Sequence, residues 1–363
     1  EVNAAEALVR ALKAAYPGSP VVLTCVTPTG SARVRQLFGT EVFHVYLPYD
    51  LPFAVEAFMR KIRPRLALIV ETEIWPNLYA ACRRRGVPLA IVNARLSERS
   101  LRGYRPFRAL VREALDCVAL IAAQSRMDAA RYRLIGAAAE RVVVTGNLKF
   151  DNPVPCEAVP EGRAMRARWG AGRPVWIAAS THEGENQPVL EAHLEVLRRM
   201  PDALLLLAPR HPERFRLVED AARSQGFRVA TWSSQRLPEG GDQVFLIDAM
   251  GVLMPFYAAA DLALVCGSLV PVGGHNVLEP AALAVPVLVG PYTANFAAIT
   301  ESLVEGGGAE RVETPQALGA RVLRLLLDPN ARTAMGQAGR EVFERERGAL
   351  ARVMQLVDGL LGE

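Results

Sequence analysis

The chain has 363 residues, of which 51% are hydrophobic, and its formal net charge is +4. This length suits two domains, and no stretch approaches the roughly 18 consecutive apolar residues that a membrane span needs. The five cysteines are scattered without CxxC spacing, which argues against a zinc site or a disulfide framework and fits a reducing compartment. The mildly basic balance weakly favours anionic substrates or a membrane face, and we predict no nucleic-acid partner.

The start of the chain is a helical pattern. The first residue is Glu1 rather than Met, and apolar side chains recur at helical spacing over residues 2–15 before Gly18. We therefore interpret the chain as lacking its natural start, so that any signal or membrane anchor lies outside the sequence.

Short apolar stretches alternate with helical patterns through the first half. The candidate strands are residues 21–26, 42–47, 66–71, 89–94, 120–124 and 142–146. Near-continuous apolar strands that alternate with helices are typical of a parallel sheet covered on both faces. We therefore predict a doubly wound α/β domain over residues 1–150.

The pattern is interrupted at residues 151–173, which are rich in Pro, Gly and charge and indicate a linker carrying one short helix. It then restarts, with a helical tail from about residue 314 and candidate strands at residues 175–180, 204–209, 227–232, 244–248, 262–267 and 285–290. This predicts a second doubly wound domain over residues 174–363, facing the first across a cleft. Ligands of such sheets bind at the carboxyl ends of the strands, so the cleft is the predicted site.

The stretch GSLVPVGGHNVLEPAALAVPVLVGPY, residues 267–292, follows one of these strands. Gly273 and Gly274 allow a ligand close to the backbone, and Asn276 is a candidate N-cap for the short helix VLEPAALA. A helix start beside glycines suits a phosphate, and Glu279 in its first turn could accept hydrogen bonds from ribose hydroxyls. An ordinary capped turn explains the stretch equally well, so both interpretations stay open.

Other strand ends in the second half carry polar groups. Arg210 follows a buried strand, where its guanidinium could clamp a phosphate or carboxylate, although a surface arginine before a helix is the alternative. Met250 and Gly251 precede another helix, and only this turn could meet a base. The THEGE stretch at residues 181–185 is typical of a capping box, so a structural His182 is at least as well founded as a catalytic one.

In the first half, Glu71 and Glu73 leave a strand end, where two carboxylates are costly to bury unless each has a partner. Lys149 is one of three lysines and lies at a strand terminus before the linker, with a solvated lysine as the alternative. The turn TPTGSARVRQLFG at residues 27–39 is a candidate cradle for a sugar or phosphate.

Together these segments resemble the 3-deoxy-D-manno-octulosonic acid (Kdo) transferases of lipopolysaccharide synthesis. The matching segments cover nearly the whole chain in the family's order: TPTGS, HVYLPYDLP, ETEIWPN, NARLS, GNLKFD, THEGE, PRHPERF, MGVL and GGHNVLEP. The resemblance implies a GT-B glycosyltransferase fold with two domains. It also implies inverting, metal-independent transfer of Kdo from CMP-Kdo to a hydroxyl of the lipid A precursor lipid IVA, with no cofactor besides the donor.

The resemblance assigns roles to individual residues. Glu1 matches the family's general base, which would deprotonate the acceptor hydroxyl for in-line attack on the anomeric carbon. Glu71 and Lys149 match residues that stabilise the transition state, because the departing CMP phosphate gains negative charge and a carboxylate favours an oxocarbenium-like centre. The residues that match the CMP-binding segments are Pro209, Arg210, Met250, Gly251, Val252, Asn276, Val277, Leu278 and Glu279.

One departure from the family concerns the start of the chain. Family members begin with an amphipathic or membrane-anchoring segment and a first strand that holds the catalytic Glu, and this sequence has neither. Glu1 is then expected at a frayed terminus beside its own α-amino charge, so we expect this exact chain to have impaired or no activity. The resemblance implies that the full-length protein attaches to the cytoplasmic face of the inner membrane, and we expect this chain alone to be soluble.

Two alternatives belong to other classes. A GT-B enzyme that uses a UDP-sugar, such as an N-acetylglucosaminyl transferase or a non-hydrolysing epimerase, is disfavoured by the ETEIWPN and GNLKFD segments. A non-catalytic binding protein would bind lipid A or nucleotide without transfer. A nucleotide panel tests the first alternative, because a Kdo transferase should be protected by CMP rather than by UDP.

Overall fold

The protein is described by a computed structural model that covers residues 2–152 and 154–362, and the chain divides into two compact units. Unit 1 comprises Glu1–Pro153 and Glu346–Glu363, and unit 2 comprises Val154–Arg345. The alternation of strands and helices predicted from the sequence is present in both units.

Unit 1 is built from parallel strands with helices between them. Its strands are β1 (Val22–Cys25), β2 (Phe43–Tyr46), β3 (Ala67–Val70), β4 (Leu89–Ala94), β5 (Leu120–Ala123) and β6 (Val142–Val144). Its helices are α1 (Val2–Ala15), α2 (Pro28–Phe38), α3 (Pro52–Ile62), α4 (Pro76–Arg84), α5 (Glu98–Tyr104), α6 (Arg108–Leu115), α7 (Arg126–Ile135) and the last helix of the chain (Ala349–Leu361). Several helices begin as their sequences predict, since Pro occupies the first position of α2, α3 and α4.

The described strands of unit 1 form two parallel sheets rather than one. One sheet pairs β1 with β2, and the other has the order β3-β4-β5-β6. The two sheets are joined by side-chain packing, because Leu23 of β1 and Val70 of β3 contact the same small hydrophobic cluster. Because the strands are parallel within each sheet, the predicted site residues that follow them lie in loops at the carboxyl ends of the strands.

The last helix of the chain belongs to unit 1, which corrects its assignment to the second domain. Its Val353 is fully buried in one hydrophobic cluster with Leu148. The carboxylate of Asp151 accepts the backbone N–H groups of Gly348 at 2.7 Å and Leu350 at 2.8 Å, at the start of the helix. A capping carboxylate at a helix start and a buried apolar face together hold the helix in this unit.

Unit 2 contains a parallel sheet with the strand order β13-β12-β11-β7-β8-β10-β9. Its strands are β7 (Val175–Thr181), β8 (Leu204–Pro209), β9 (Val229–Thr231), β10 (Val244–Leu246), β11 (Leu262–Val265), β12 (Val287–Val289) and β13 (Ala309–Arg311). Its helices are α8 (Ala158–Trp169), α9 (Asn186–Arg199), α10 (Phe215–Ser224), α11 (Leu253–Ala259), α12 (Leu278–Ala282), α13 (Ala297–Glu305), α14 (Leu318–Leu327) and α15 (Pro329–Glu346), so the last helix of the chain is α16. The short edge strand β13 was not predicted, because the sequence AER has no apolar alternation.

Residues 151–173 contain the predicted short helix, Ala158–Trp169, but this helix is part of unit 2 rather than of a linker. Within them α8 packs on α11, where a Cβ placed on Gly162 would lie 2.6 Å from the Cβ of Ala258. Trp169 is buried and contacts Phe245 and Phe256. The Pro and Gly residues that suggested a linker thus serve a helix start and a close helix–helix contact, which sequence patterns do not separate from loop signals.

Candidate functional site

Glu71 and Lys149 meet at the carboxyl ends of the strands of unit 1. Glu71 follows β3, and Lys149 lies in the 3₁₀ segment Leu148–Asp151 after β6. The Lys149 Nζ lies 3.4 Å from Glu71 Oε1, and the two side chains are 22% and 13% exposed. The structure therefore brings together two predicted catalytic residues, and each charge partners the other at a depth where an unpaired charge is costly.

The backbone around this ion pair is held in a conformation that residues other than glycine rarely adopt. Glu71 has φ of 66° and Asn93, in β4, has φ of 50°. Tertiary hydrogen bonds hold both, since Asn93 Oδ1 accepts the Leu148 N–H at 3.0 Å and the Glu71 carbonyl accepts the Tyr132 hydroxyl at 3.2 Å. Strained backbone that the surroundings enforce is common at functional sites. The sequence analysis missed Asn93, whose signal was an amide inside an otherwise apolar, buried strand.

The second carboxylate of the ETE segment has a structural partner. Glu73 Oε2 accepts the indole N–H of Trp75 at 2.9 Å, and the Glu73 carbonyl accepts the Tyr79 hydroxyl at 2.6 Å. Glu73 is therefore engaged by its own segment, whereas Glu71 forms the ion pair with Lys149.

The TPTGS turn is closed by its own hydrogen bonds. Thr27 Oγ1 accepts the Gly30 N–H at 3.1 Å and caps α2. Ser31, which is buried, donates to His44 Nε2 at 2.8 Å, because His44 Nδ1 lies 2.9 Å from a backbone carbonyl and must carry the hydrogen. The sugar or phosphate cradle suggested for this turn stays a prediction. Glu1, the predicted general base, lies outside the described residues.

In unit 2 the strand order reverses between β7 and β11. From β7 the chain adds β8, β9 and β10 on one side, and then crosses to place β11, β12 and β13 on the other. Where the loops after two neighbouring parallel strands run in opposite directions, a crevice opens at the carboxyl ends of those strands. Open α/β sheets bind ligands in this crevice. Among the predicted donor residues, Arg210 follows β8 and Asn276–Glu279 follow β11, the two neighbours of β7, whereas Met250–Val252 follow β10.

A buried carboxylate ties the two sides of this crevice together. Glu185, which is fully buried after β7, accepts backbone N–H groups from both sides. Its oxygens lie 2.7–3.1 Å from the nitrogens of His182, Gly267, Ser268 and Leu269. The capping-box interpretation of THEGE was therefore incomplete, because three of these four donors come from the loop after β11.

Three histidine rings gather at the same place. The Nε2 atoms of His182 and His275 lie 2.8 Å apart, within hydrogen-bonding distance, although the residues are 93 positions apart in sequence. His211, after β8, meets the His182 ring edge to face with the ring centroids 5.0 Å apart. Gly267 has φ of 70°, and a Cβ there would lie 2.8 Å from the His275 ring, so glycine is required at this position.

Arg210 lies beside these histidines. Pro209 is the last residue of β8, and the Arg210 backbone N–H donates to the Thr181 carbonyl at 3.0 Å. The Arg210 side chain is exposed, and its charge is among the causes that lower the pKa of both His182 and His275. Among the described residues its guanidinium forms no ion pair, so it is available to an anionic ligand.

The remaining predicted donor residues lie after β10 and β11. Met250 is half exposed, and Gly251 has φ of 80° in the turn before α11, whose N-cap is Val252. These positions suit a turn that approaches a ligand with its backbone.

The helix predicted from VLEPAALA is shorter than expected. It forms α12, Leu278–Ala282, and its N-cap is Val277 rather than Asn276. Asn276 instead closes a local turn, in which its Oδ1 accepts the Leu278 N–H at 3.1 Å and its Nδ2 donates to Glu279 Oε1 at 3.1 Å. Burial raises the pKa of Glu279, and the Asn276 hydrogen bond opposes this.

The glycines of the GGHN segment adopt left-handed backbone. Gly273 and Gly274 have φ of 108° and 77°, and both donate backbone N–H groups to the Gly267 carbonyl. This folds the segment back on the end of β11 and brings His275 to His182. The glycines are therefore needed for the backbone conformation of this turn, in addition to any role in allowing a ligand close to the backbone.

A family model and two relatives that match this chain carry the same description. Residues 1–152 match the family model described as 3-Deoxy-D-manno-octulosonic-acid transferase (kdotransferase). A 3-deoxy-D-manno-octulosonic acid transferase of Haemophilus influenzae is 43% identical over 358 residues, which are 98% of this chain and 84% of that protein. The transferase of Bordetella pertussis is 38% identical over 371 residues, covering 100% of this chain and 85% of its own.

Solved structures agree with the predicted architecture. The C-terminal CMP-Kdo binding domain of WaaA from Acinetobacter baumannii is 31% identical, with a TM-score of 0.50, and covers 52% of this chain and 98% of its own. UDP-GlcNAc 2-epimerase from Neisseria meningitidis superposes with a TM-score of 0.66 over 99% of this chain and 97% of its own, at 16% identity. The second likeness shows the fold alone, and the predicted GT-B fold is confirmed.

Proposed function

We propose a specific reaction for this chain, which belongs to the 3-deoxy-D-manno-octulosonic acid (Kdo) transferase family: it transfers Kdo from CMP-Kdo to a hydroxyl group of a lipid A precursor. The observation that carries the proposal is the 43% identity to a Kdo transferase over 98% of the chain. The chain is a glycosyltransferase, and the choice of donor and acceptor is the part that we propose.

Unit 2 is the proposed donor-binding unit. Its likeness to a CMP-Kdo binding domain supports this assignment. Arg210 would hold the phosphate by charge-assisted hydrogen bonds. The turn at Met250–Val252 would meet the cytosine, and Glu279, which is held by Asn276, would accept a ribose hydroxyl.

We further propose an inverting, metal-independent mechanism. Glu1 would take the proton of the acceptor hydroxyl as that oxygen attacks the anomeric carbon of Kdo. The bond from that carbon to the phosphate oxygen breaks with its electron pair on the phosphate, which gains one negative charge. The ammonium of Lys149 would offset this charge, and the Glu71 carboxylate would favour the positive charge that develops on the sugar ring. Their ion pair supports the proposal because it holds both groups in place before reaction.

Unit 1 is the proposed acceptor-binding unit. Four aromatic side chains on and after β2 are each more than half exposed: Phe43, Tyr46, Tyr49 and Phe53. Large exposed apolar side chains on one segment are a candidate surface for lipids or other apolar partners. We therefore propose that the acyl chains of the acceptor contact this segment at the cytoplasmic face of the inner membrane. None of the described helices has the length and apolar character that crossing a bilayer requires.

The test is a transfer assay on the full-length protein with CMP-Kdo, generated in place, and a tetraacyl lipid A precursor. The expected product is the acceptor with added Kdo, detected by mass, and we expect no transfer of any sugar from a UDP-sugar donor. A deacylated acceptor should be the poorer substrate if the aromatic segment binds acyl chains. Binding of CMP or lipid without any transfer would instead favour a non-catalytic binding protein.

A further inference from the structure

The hydrogen-bonded histidines of unit 2 span the point where its strand order reverses. His182 follows β7, and His275 lies in the loop after β11, so the pair bridges the two strands between which the crevice opens. Both rings are partly exposed, and Arg210 lies beside them. This is the position in an open parallel sheet at which an anionic ligand is expected.

The hydrogen bond between the rings fixes what the pair can offer a ligand. Only one hydrogen lies between the two Nε2 atoms of His182 and His275, which are 2.8 Å apart. In the neutral pair the donating ring therefore has a bare Nδ1, and the accepting ring has its hydrogen on Nδ1. One added proton converts the bare Nδ1 into an N–H group, so that the pair carries one positive charge and presents two donors.

The surroundings keep the free pair neutral near pH 7. Burial lowers the pKa of His182, and burial with the neighbouring His182 ring lowers the pKa of His275 to about 4. The charged and titratable groups that face the pair come from the elements packed around it: Glu185, Arg210, His211 and Arg214. The carboxylate of Glu185 accepts four backbone N–H groups, so it does not act as a hydrogen-bonding counterion to the rings.

We propose that the His182–His275 pair is a proton-accepting ligand of the donor phosphate, and that the pair takes up one proton from solvent when the phosphate binds. The proposal rests on the proposed function, because it assumes that the cytidine nucleotide binds in unit 2. The added proton stays on a histidine nitrogen and no covalent bond of the ligand changes on binding. During transfer the cationic pair faces the phosphate as it gains negative charge.

The test is the pH dependence of nucleotide affinity in solution. The probe is the methyl ester of CMP, because a phosphodiester keeps a single charge throughout this pH range and cannot itself take the proton. Between the pKa values of the free and the bound pair, linkage requires Kd to rise about tenfold for each pH unit. We expect the wild-type Kd to rise by about tenfold or more from pH 5.5 to 7.5.

Proton uptake is measured directly by calorimetry at pH 6 in two buffers with different ionisation enthalpies. We expect between about one half and one proton per bound probe in the wild type. The double variant His182→Gln/His275→Gln keeps hydrogen-bonding groups at both positions but has no titratable ring there, so it should abolish the uptake and flatten the pH profile. His211→Gln is the matched control, because this ring touches His182 without sharing the hydrogen bond, and it should retain the uptake.

The possible outcomes separate this proposal from the proposed function. If the wild type binds the probe without proton uptake, or if uptake survives in the double variant, the pair is not the proton acceptor. Loss of uptake in His211→Gln alone would transfer the role to that ring and overturn the proposal. If the wild type binds neither CMP nor its ester, while UDP binds, the proposed donor specificity itself is wrong. Thermal unfolding identifies any variant that has failed to fold. The calorimetry on the wild type does not depend on the variants, and absence of proton uptake there is enough to overturn the proposal.

Discussion

At the scale of single residues, the Glu71–Lys149 ion pair shows how a buried charge can be kept available for chemistry. Both side chains are partly buried, at a depth where an unpaired charge would be energetically costly. The left-handed backbone of Glu71 is held by a hydrogen bond from the Tyr132 hydroxyl on helix α7. A site assembled in this way has its charges in position before the substrate arrives.

The first prediction concerns Lys149. Lys149→Ala should lower kcat by roughly two to three orders of magnitude, because a positioned cation that offsets the charge of the leaving phosphate is lost. The measurement is steady-state transfer to the lipid acceptor at saturating CMP-Kdo. Lys13→Ala removes a lysine that pairs with Glu41 at the surface and serves as the control. Near-normal turnover of the Lys149 variant would remove this residue from the mechanism.

The second prediction concerns Arg210. Arg210→Ala should raise the KM for CMP-Kdo by roughly tenfold to a hundredfold, since hydrogen bonds to a charged group contribute about 1.5–3 kcal/mol. Its kcat should change less, because in the proposed site the guanidinium would contact the phosphate in both the ground and the transition state. Arg223→Ala, which removes an exposed partner of Glu219 on α10, is the control. An unchanged KM would count against a phosphate contact by Arg210.

At the scale of elements, the loop after β6 and helix α16 form one structural unit. Lys149 and Asp151 share a single 3₁₀ segment, and Asp151 caps a helix that begins almost at the end of the chain. Arg352 of α16 donates back to the Thr145 carbonyl at 2.7 Å, just before the same segment. The predicted catalytic lysine is therefore positioned from both sides by the last helix of the chain.

Asp151→Ala tests this arrangement. Two backbone N–H groups at the start of α16 lose their acceptor, so the free energy of unfolding should fall by about 1 kcal/mol. Urea unfolding of the variant and the wild type measures the difference. Asp220→Ala, on an exposed face of α10, is expected to stay within about 0.5 kcal/mol of the wild type. Equal unfolding midpoints for Asp151→Ala and the wild type would show that the cap contributes no stability.

At the scale of the whole molecule, a buried histidine links stability to pH. His193 is fully buried, its Nδ1 accepts the indole N–H of Trp176 at 3.1 Å, and its Nε2 donates to the Gln243 carbonyl at 2.8 Å. Both ring nitrogens are thus used by the neutral form, and a second proton would place two donors against each other. Burial accordingly lowers the pKa of His193 to about 3.

The resulting prediction is a loss of stability at mildly acidic pH. The unfolded histidine has a pKa of about 6.5 and binds a proton below it, whereas the folded one stays neutral down to about pH 3, so acid favours the unfolded state. The contribution of His193 is fully present above pH 6.5 and falls by about 2 kcal/mol between pH 7 and pH 5. His182 and His275, whose pKa values are also lowered, add a change of the same sign.

Urea unfolding at pH 7 and pH 5 measures the effect. His193→Gln can keep one donor and one acceptor but does not titrate, so the variant should lose about 2 kcal/mol less than the wild type over this interval. The comparison cancels the carboxylates that also titrate on acidification. The same loss in both proteins would show that His193 is not protonated on unfolding.

Local architecture and family membership follow from the amino-acid sequence alone. Apolar strands that alternate with helical patterns predicted the parallel sheets, because such strands must be covered on both faces. The polar residues at strand ends could also be identified from the sequence, because Glu71, Lys149 and Arg210 interrupt apolar patterns. The split of the first sheet, the short strand β13 and the packing of α8 were missed, because they depend on weak or ambiguous local signals.

Which of these strand ends meet depends on how the strands are ordered in the folded units. The His182–His275 hydrogen bond and the four N–H groups on Glu185 depend on β7 and β11 being neighbours, which no local pattern reveals. The docking of α16 beside Lys149 likewise joins residues that are about 200 positions apart. Periodicity reports the conformation of a segment, whereas the partners of a buried charge or ring are set by strand order and burial across the whole unit.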